Sequence, residues 1–160
     1  MPRTIATNTR VERDDLIEFV RPRHHMILMT TRSDGGVQAS PVTGGVDAEG
    51  RIVISTYPER AKSANVARAG RASVVVLSEE FDGAWVQVDG DAELLTLGGR
   101  DGDSVLEALV DYFRAISGEH PDWDEYRAAM ADQGKALVRI TPTRWSPIAT
   151  GGFPPRFADE

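Results

Sequence analysis

The sequence predicts a mostly β protein with helices, a small antiparallel barrel with a few helices laid against it. Three observations carry this. Five or six short segments are rich in β-branched or alternating apolar residues, tight-turn signals separate them, and only a few stretches show helical apolar spacing. The length of 160 residues suits one domain and allows a core without cross-links.

Residues 1–10 are polar and aperiodic and read as a loose, flexible arm, leaving 11–160 as the single domain. Across 11–21, Leu16, Phe19 and Val20 recur at helical spacing, and Pro22 closes the element. From His24 the period changes: 26–31 reads as a mostly buried strand, and Ser33-Asp-Gly-Gly36 as a tight turn. A partner strand spans 37–46, followed by a second turn at Asp47-Ala-Glu-Gly50. In the third strand, 51–57, Ile52 and Ile54 share one face and Val53 and Ser55 the other. A short helix is expected over 58–69, with Gly70 placed as its C-cap.

The β-branched run 72–78 reads as a central strand. After a turn at Phe81-Asp-Gly83, an alternating strand covers 85–95, with Gly90 expected at a bulge or bend. Over 103–117, Val105, Leu106, Leu109, Val110, Phe113 and Ile116 form one helical apolar stripe. A second helix follows near 122–132, a last strand over 135–141, and a Gly/Pro-rich tail from Thr150.

Composition removes several function classes. There are no cysteines, which excludes disulfides, thiolate nucleophiles and cysteine metal sites and fits a reducing compartment. The formal net charge of -7 argues against nucleic-acid binding, which needs a basic footprint. The apolar runs are too short to span a bilayer, and the arginine-bearing N-terminal stretch lacks the apolar core of a signal peptide. A cytoplasmic location is the expectation. Adjacent His24 and His25 point to opposite faces of a strand, and His120 stands far along the chain, so no metal site is expected. Asp122, Asp124 and Glu125 cluster where a helix begins, which capping explains more simply than acid–base catalysis.

The segment Ser55-Thr-Tyr-Pro-Glu-Arg-Ala-Lys-Ser-Ala-Asn65 is the most informative. A strand ends in two hydroxyl residues, a proline turns the chain, and a helix starts with Arg60, Lys62 and Asn65 in its first turns. Backbone amides and the dipole at a helix start favour anions, and the two cations would complete a phosphate clamp. A solvated, charged helix face is the plainer alternative. Gln38 and Ser40 project to one face of their strand and could meet the edge of a polar ring; an ordinary solvent-facing edge fits as well, and Pro41 implies an edge or bulge. Trp85 and Gln87 share a face, where Trp85 could stack on a ring, line a subunit interface or simply pack in the core.

The run Arg60-Ala-Lys62-x-x-Asn65, the strand from Arg71, the string Gly118-Glu-His-Pro-Asp-Trp-Asp-Glu-Tyr126, and Trp145 with Ala149-Thr-Gly-Gly-Phe-Pro-Pro155 resemble actinobacterial deazaflavin-dependent members of the pyridoxamine 5'-phosphate oxidase-like superfamily. The likeness runs from about Leu16 to Pro155. It implies a six-stranded antiparallel split β-barrel of the FMN-binding type, working as a homodimer with cofactor sites at the interface. It further implies an oxidoreductase using coenzyme F-420, a 5-deazaflavin, on a small conjugated or quinone-like substrate. An FMN-dependent oxidoreductase or a non-catalytic F-420 carrier are the alternatives. By the same resemblance, Gln38, Ser40 and Pro41 would line the ring edge. Ser55, Thr56, Arg60, Ala61, Lys62 and Asn65 would hold the ribityl chain and phosphate, and Trp85 and Gln87 would lie near the ring or interface. Trp145 and Phe153, exposed-looking in the tail, would support dimerisation.

Overall fold

The computed structural model describes residues 2–159. Its frame is a closed antiparallel barrel built from six strands: β2 (His25–Thr31), β3 (Val37–Val46), β4 (Ile52–Thr56), β5 (Arg71–Val76), β6 (Val86–Thr96) and β7 (Ala136–Trp145). Around the barrel they run β2-β3-β4-β7-β6-β5. Four helices decorate it: α1 (Arg13–Val20), α2 (Ala61–Ala69), α3 (Gly102–Ser117) and α4 (Trp123–Gln133). Two short strands, β1 (Asn8–Thr9) and β8 (Ile148–Ala149), pair with each other outside the barrel.

Period-two alternation decides what each strand buries. Leu28 and Met26, Ile52 and Ile54, Val74 and Val76, Val86 and Val88, and Val138 and Ile140 point inward and fill the barrel together with Leu16, Val20 and Val66 from helices. The opposite face of β4 and β7 gives Val53 and Leu137 to a second cluster under α3 and α4, with Val105, Leu109, Val110 and Tyr126. The apolar stripe expected on α3 is therefore the covering layer for that outer face. Asp122 caps α4 by accepting the Glu125 amide at 3.1 Å, with Asp124 and Glu125 in the first turn. Gly70 ends α2 with φ 69°, a left-handed conformation that suits glycine.

Three boundaries differ from the sequence reading. Residues 58–60 turn rather than coil, so α2 starts at Ala61 and Arg60 occupies its N-cap with extended backbone. The last strand continues past Thr141 to Trp145 because the bulge at Gly90 absorbs Pro142. Pairing steps from Gly90↔Pro142 to Asp89↔Arg144, which leaves Thr143 unmatched and spares the ladder the amide that proline lacks. Consequently Trp145 is not an exposed tail residue; it packs partly buried against the barrel core, its Nε1 donating to the Val11 carbonyl at 2.9 Å. Within the segment 1–10, read as a loose arm, residues 4–9 are hydrogen-bonded to the tail. Asn8 and Thr9 pair with Ala149 and Ile148, and the Ala6 amide donates to the Phe153 carbonyl at 2.9 Å.

One feature of the barrel is uneven. β3 pairs with β2 over residues 37–43 but with β4 only through Gly44, Gly45 and Val46. Thr43 and Ser55 would form the next rung, yet the Thr43 carbonyl accepts the Tyr112 hydroxyl of α3 at 2.9 Å instead. Beyond that point the first half of β3 is split from β4.

At Gly90 a Cβ would run into the Thr141 carbonyl and the Ile140 side chain, both held by the ladder. Gly90→Ala is expected to destabilise the protein by about 1–3 kcal/mol, the usual cost of overpacking. Gly98→Ala, where nothing lies within 4 Å of the added carbon, should leave the urea unfolding midpoint in place.

Candidate functional site

Helix α2 packs on β2, β5 and β6, and it meets the β2–β3 hairpin through polar side chains. Ser63, fully buried, donates to the Tyr57 carbonyl at 2.7 Å and lies 3.5 Å from the Thr56 hydroxyl, which fixes the turn from β4 into the helix. Two residues on, buried Asn65 donates to the Thr30 hydroxyl at 3.1 Å, and Thr30 donates to the Gln38 side-chain oxygen at 3.2 Å. Arg68 closes the group by donating to Asn65 Oδ1 at 2.9 Å and to the Thr31 carbonyl. Lys62 Nζ approaches Ser40 Oγ at 3.4 Å. Among the described residues no buried side-chain N or O atom lacks a partner. Gln38, Ser40, Lys62 and Asn65 thus lie in a polar seam between α2 and the β2–β3 hairpin, and Thr56 lies in the turn that leads into α2.

The start of α2 is electrically unbalanced. Burial, and secondarily the Arg60 guanidinium, hold the Lys62 ammonium below the ordinary lysine range. Among the described residues neither cation has a carboxylate within 4 Å. No side chain caps the helix and its first turn holds no acidic residue, in contrast to the acidic first turns of α1, α3 and α4. Ser63 and Ala64 donate their amides to the Arg60 carbonyl, while those of Ala61 and Lys62 find no acceptor among the described residues. Two free amides, a helix dipole and two cations are the donor set that a phosphate group requires.

The remaining residues of the expected set stand apart from this seam. Ser55 lies on the face of β4 turned toward α3, its backbone amide next to the Tyr112 hydroxyl, whose pKa burial raises. Pro41 points outward, opposite to Ser40. Gln87 is outward too, and the register Pro41↔Ile27, Ile27↔Val75, Val75↔Gln87 sets both on one row across the sheet, three strand spacings apart. Trp85 precedes β6, bridges to Ala149 and is 36% exposed. Within one chain, therefore, the α2 seam and the outward Pro41, Trp85 and Gln87 are separate surfaces.

Sequence reasoning missed Thr30, Ser63 and Tyr112. Thr30 was within reach: the turn at residues 33–36 sets Thr30 opposite Gln38, and a polar residue among Met26, Leu28 and their neighbours on a core-facing strand is itself a signal. Tyr112 left no such trace, because its hydroxyl acts on a strand that is distant in sequence.

Comparison with known proteins fits this architecture. The family model described as pyridoxamine 5'-phosphate oxidase matches residues 13–149. A conserved hypothetical protein from Mycobacterium tuberculosis superposes with a TM-score of 0.70 at 19% identity, covering 91% of this chain and 89% of that one. An F-420 reductase superposes at 0.58 and 18% identity, over 81% and 94% of the two chains. The haem storage protein of Vibrio cholerae does so at 0.61 and 15%, over 84% and 93%. These likenesses extend to the split barrel itself, and with the family model spanning most of the chain, the protein belongs to the pyridoxamine 5'-phosphate oxidase family.

Proposed function

We propose that this protein is a cytoplasmic, homodimeric oxidoreductase that binds coenzyme F-420 and passes a hydride between it and a small conjugated or quinone-like organic substrate. The observation that carries the reading is the unpaired couple Arg60 and Lys62 at the uncapped start of α2, beside Ser40 and Gln38. Arg60, Lys62 and the Ala61 and Lys62 amides bind the phosphate; Thr56 and Asn65 fix the helix that presents them. Gln38 offers its amide to the ring edge. The deazaflavin, once bound, supplies hydride chemistry at a ring carbon, so the protein's own work is to orient the ring and exclude water. This agrees with a site of hydrogen-bond donors rather than of strong acids and bases.

Pro41, Trp85 and Gln87 enter the same reading through a second subunit. The outward face of β3, β2 and β5 carries exposed Val37, Ala39 and Pro41 next to half-buried Ile27, Met29 and Val75. A contiguous apolar sheet face of this kind is where a partner would dock. In that arrangement one subunit brings its α2 seam and its partner brings the outward residues.

Titration of the purified full-length protein with F-420, FMN and haem discriminates the readings. Saturable micromolar binding of F-420 alone is the expected result; selective FMN or haem binding replaces the cofactor, and binding without turnover against a panel of quinones and nitroaromatics makes the protein a carrier. Lys62→Ala should weaken F-420 binding by about 1.5–3 kcal/mol, the value of a charge-assisted contact, and an unchanged Kd would remove Lys62 from the site. Light scattering at micromolar concentration should give a dimer; a monomer with full affinity would rule out the interfacial arrangement.

A further inference from the structure

A cleft of about 810 Å³ opens between the N-terminal segment and the ends of β6 and β7, away from the α2 seam. Its size falls within the range of small-molecule sites. Arg10, Val11 and Glu12 form one wall; Gln87 and Asp89, then Arg144 to Pro147, form the other.

The charge arrangement here departs from what strand pairing dictates. Asp89 and Arg144 are direct partners across the β6–β7 ladder, where opposite charges ordinarily meet. Glu93 and Arg139, the acid–base pair on the same ladder, do so at 2.6 Å. Asp89 instead turns to β5 and accepts the Ser73 hydroxyl at 2.6 Å, with the Gln87 side-chain amide on the same oxygen at 3.3 Å. The bulge beside it, at Asp89 and Gly90, shifts the register. Arg144 is left exposed, and among the described residues neither it nor Arg10 makes an ion pair.

We propose that this cleft binds a carboxylate carried on a flat apolar body, the carboxylate held by Arg10 and Arg144 and the body packed against Trp145, Val11 and Pro147. A guanidinium fork matches a carboxylate in shape as well as charge. Trp145 is fixed by its bond to the Val11 carbonyl, so its partly exposed ring is a pre-set apolar wall. A single negative charge suits the cleft better than a phosphate, because Glu12 and Asp89 also line it and would repel a multiply charged anion. Within one chain the cleft lies apart from the α2 seam, although Gln87 borders it, and the proposal does not rest on the identity of the cofactor.

Calorimetric titration of the cofactor-free full-length protein with naphthoate and with neutral, isosteric naphthamide tests the proposal. Saturable naphthoate binding is expected, with the amide weaker by about tenfold or more for loss of the charge-assisted contact. Arg144→Ala and Arg10→Ala, both at exposed side chains, should each reproduce a loss of that size for naphthoate only, and Arg144→Gln should match Arg144→Ala. Lys62→Ala should leave naphthoate affinity unchanged. Equal affinity for acid and amide, absence of saturable binding, or a loss in Lys62→Ala equal to that in Arg144→Ala would each overturn the assignment. A failure of F-420 to bind would leave it standing.

Discussion

The candidate site depends on the buried hydrogen bonds by which Asn65 of α2 holds Thr30 and, through it, Gln38. On the barrel, β3 pairs with β4 over three rungs only. Here the Tyr112 hydroxyl takes the Thr43 carbonyl that the next rung would have used, so the split costs no unsatisfied acceptor at its origin. From there the first half of β3 leans on β2 alone, and α2 packs on β2, β5 and β6. The helix is polar where it meets the hairpin, through Asn65, Thr30 and Gln38, and apolar where Val66 enters the core.

That division explains why the docking is specific. Apolar contact by Val66 would tolerate small rotations of α2 about its axis. The chain Arg68–Asn65–Thr30–Gln38 would not, because each buried donor has one acceptor in reach and a shift breaks several bonds at once. The orientation of the helix start, and with it the direction of the Ala61 and Lys62 amides, is thereby set from three residues further along the helix. Positioning of a prospective anion is a consequence of packing one turn away.

Much of the barrel was legible because its residues alternate cleanly: Ile52 and Ile54 against Val53, or Val86 and Val88 against Gln87, declare both strand and inward face. Gly90 and Gly70 were readable for the same reason, as glycines at places where a side chain or an ordinary backbone would not fit. What could not be read was the consequence of pairing. The bulge lets β7 pass Pro142, and nothing in the local run Thr141-Pro142-Thr143 says that a glycine on another strand stands opposite it. For the same reason Trp145 looked like a tail residue although it belongs to a strand end against the core. Among the candidate site residues, spacing placed Gln38 with Ser40 and Lys62 near Asn65. It could not tell that the first pair meets the second, since that depends on where α2 docks; that Pro41 faces away from Ser40 follows from alternation alone.

The charge balance around α2 gives the anion reading its physical content. The protein has 25 acidic and 18 basic side chains, so acids to neutralise Arg60 and Lys62 are not scarce. Elsewhere the fold uses them freely: Arg51 meets Asp47 at 2.8 Å, Arg127 meets Glu107 at 2.8 Å and Arg139 meets Glu93 at 2.6 Å. Among the described residues none is supplied at the α2 start, although an aspartate or glutamate in the first turn would relieve the repulsion and also suit the helix dipole. Two like charges drawn together, one of them partly desolvated, destabilise the free protein slightly. An anion docked on the Ala61 and Lys62 amides would offset the repulsion between the two cations and satisfy the two open donors. A bound negative group would lower the free energy of this arrangement, which is the physical content of the proposed phosphate site.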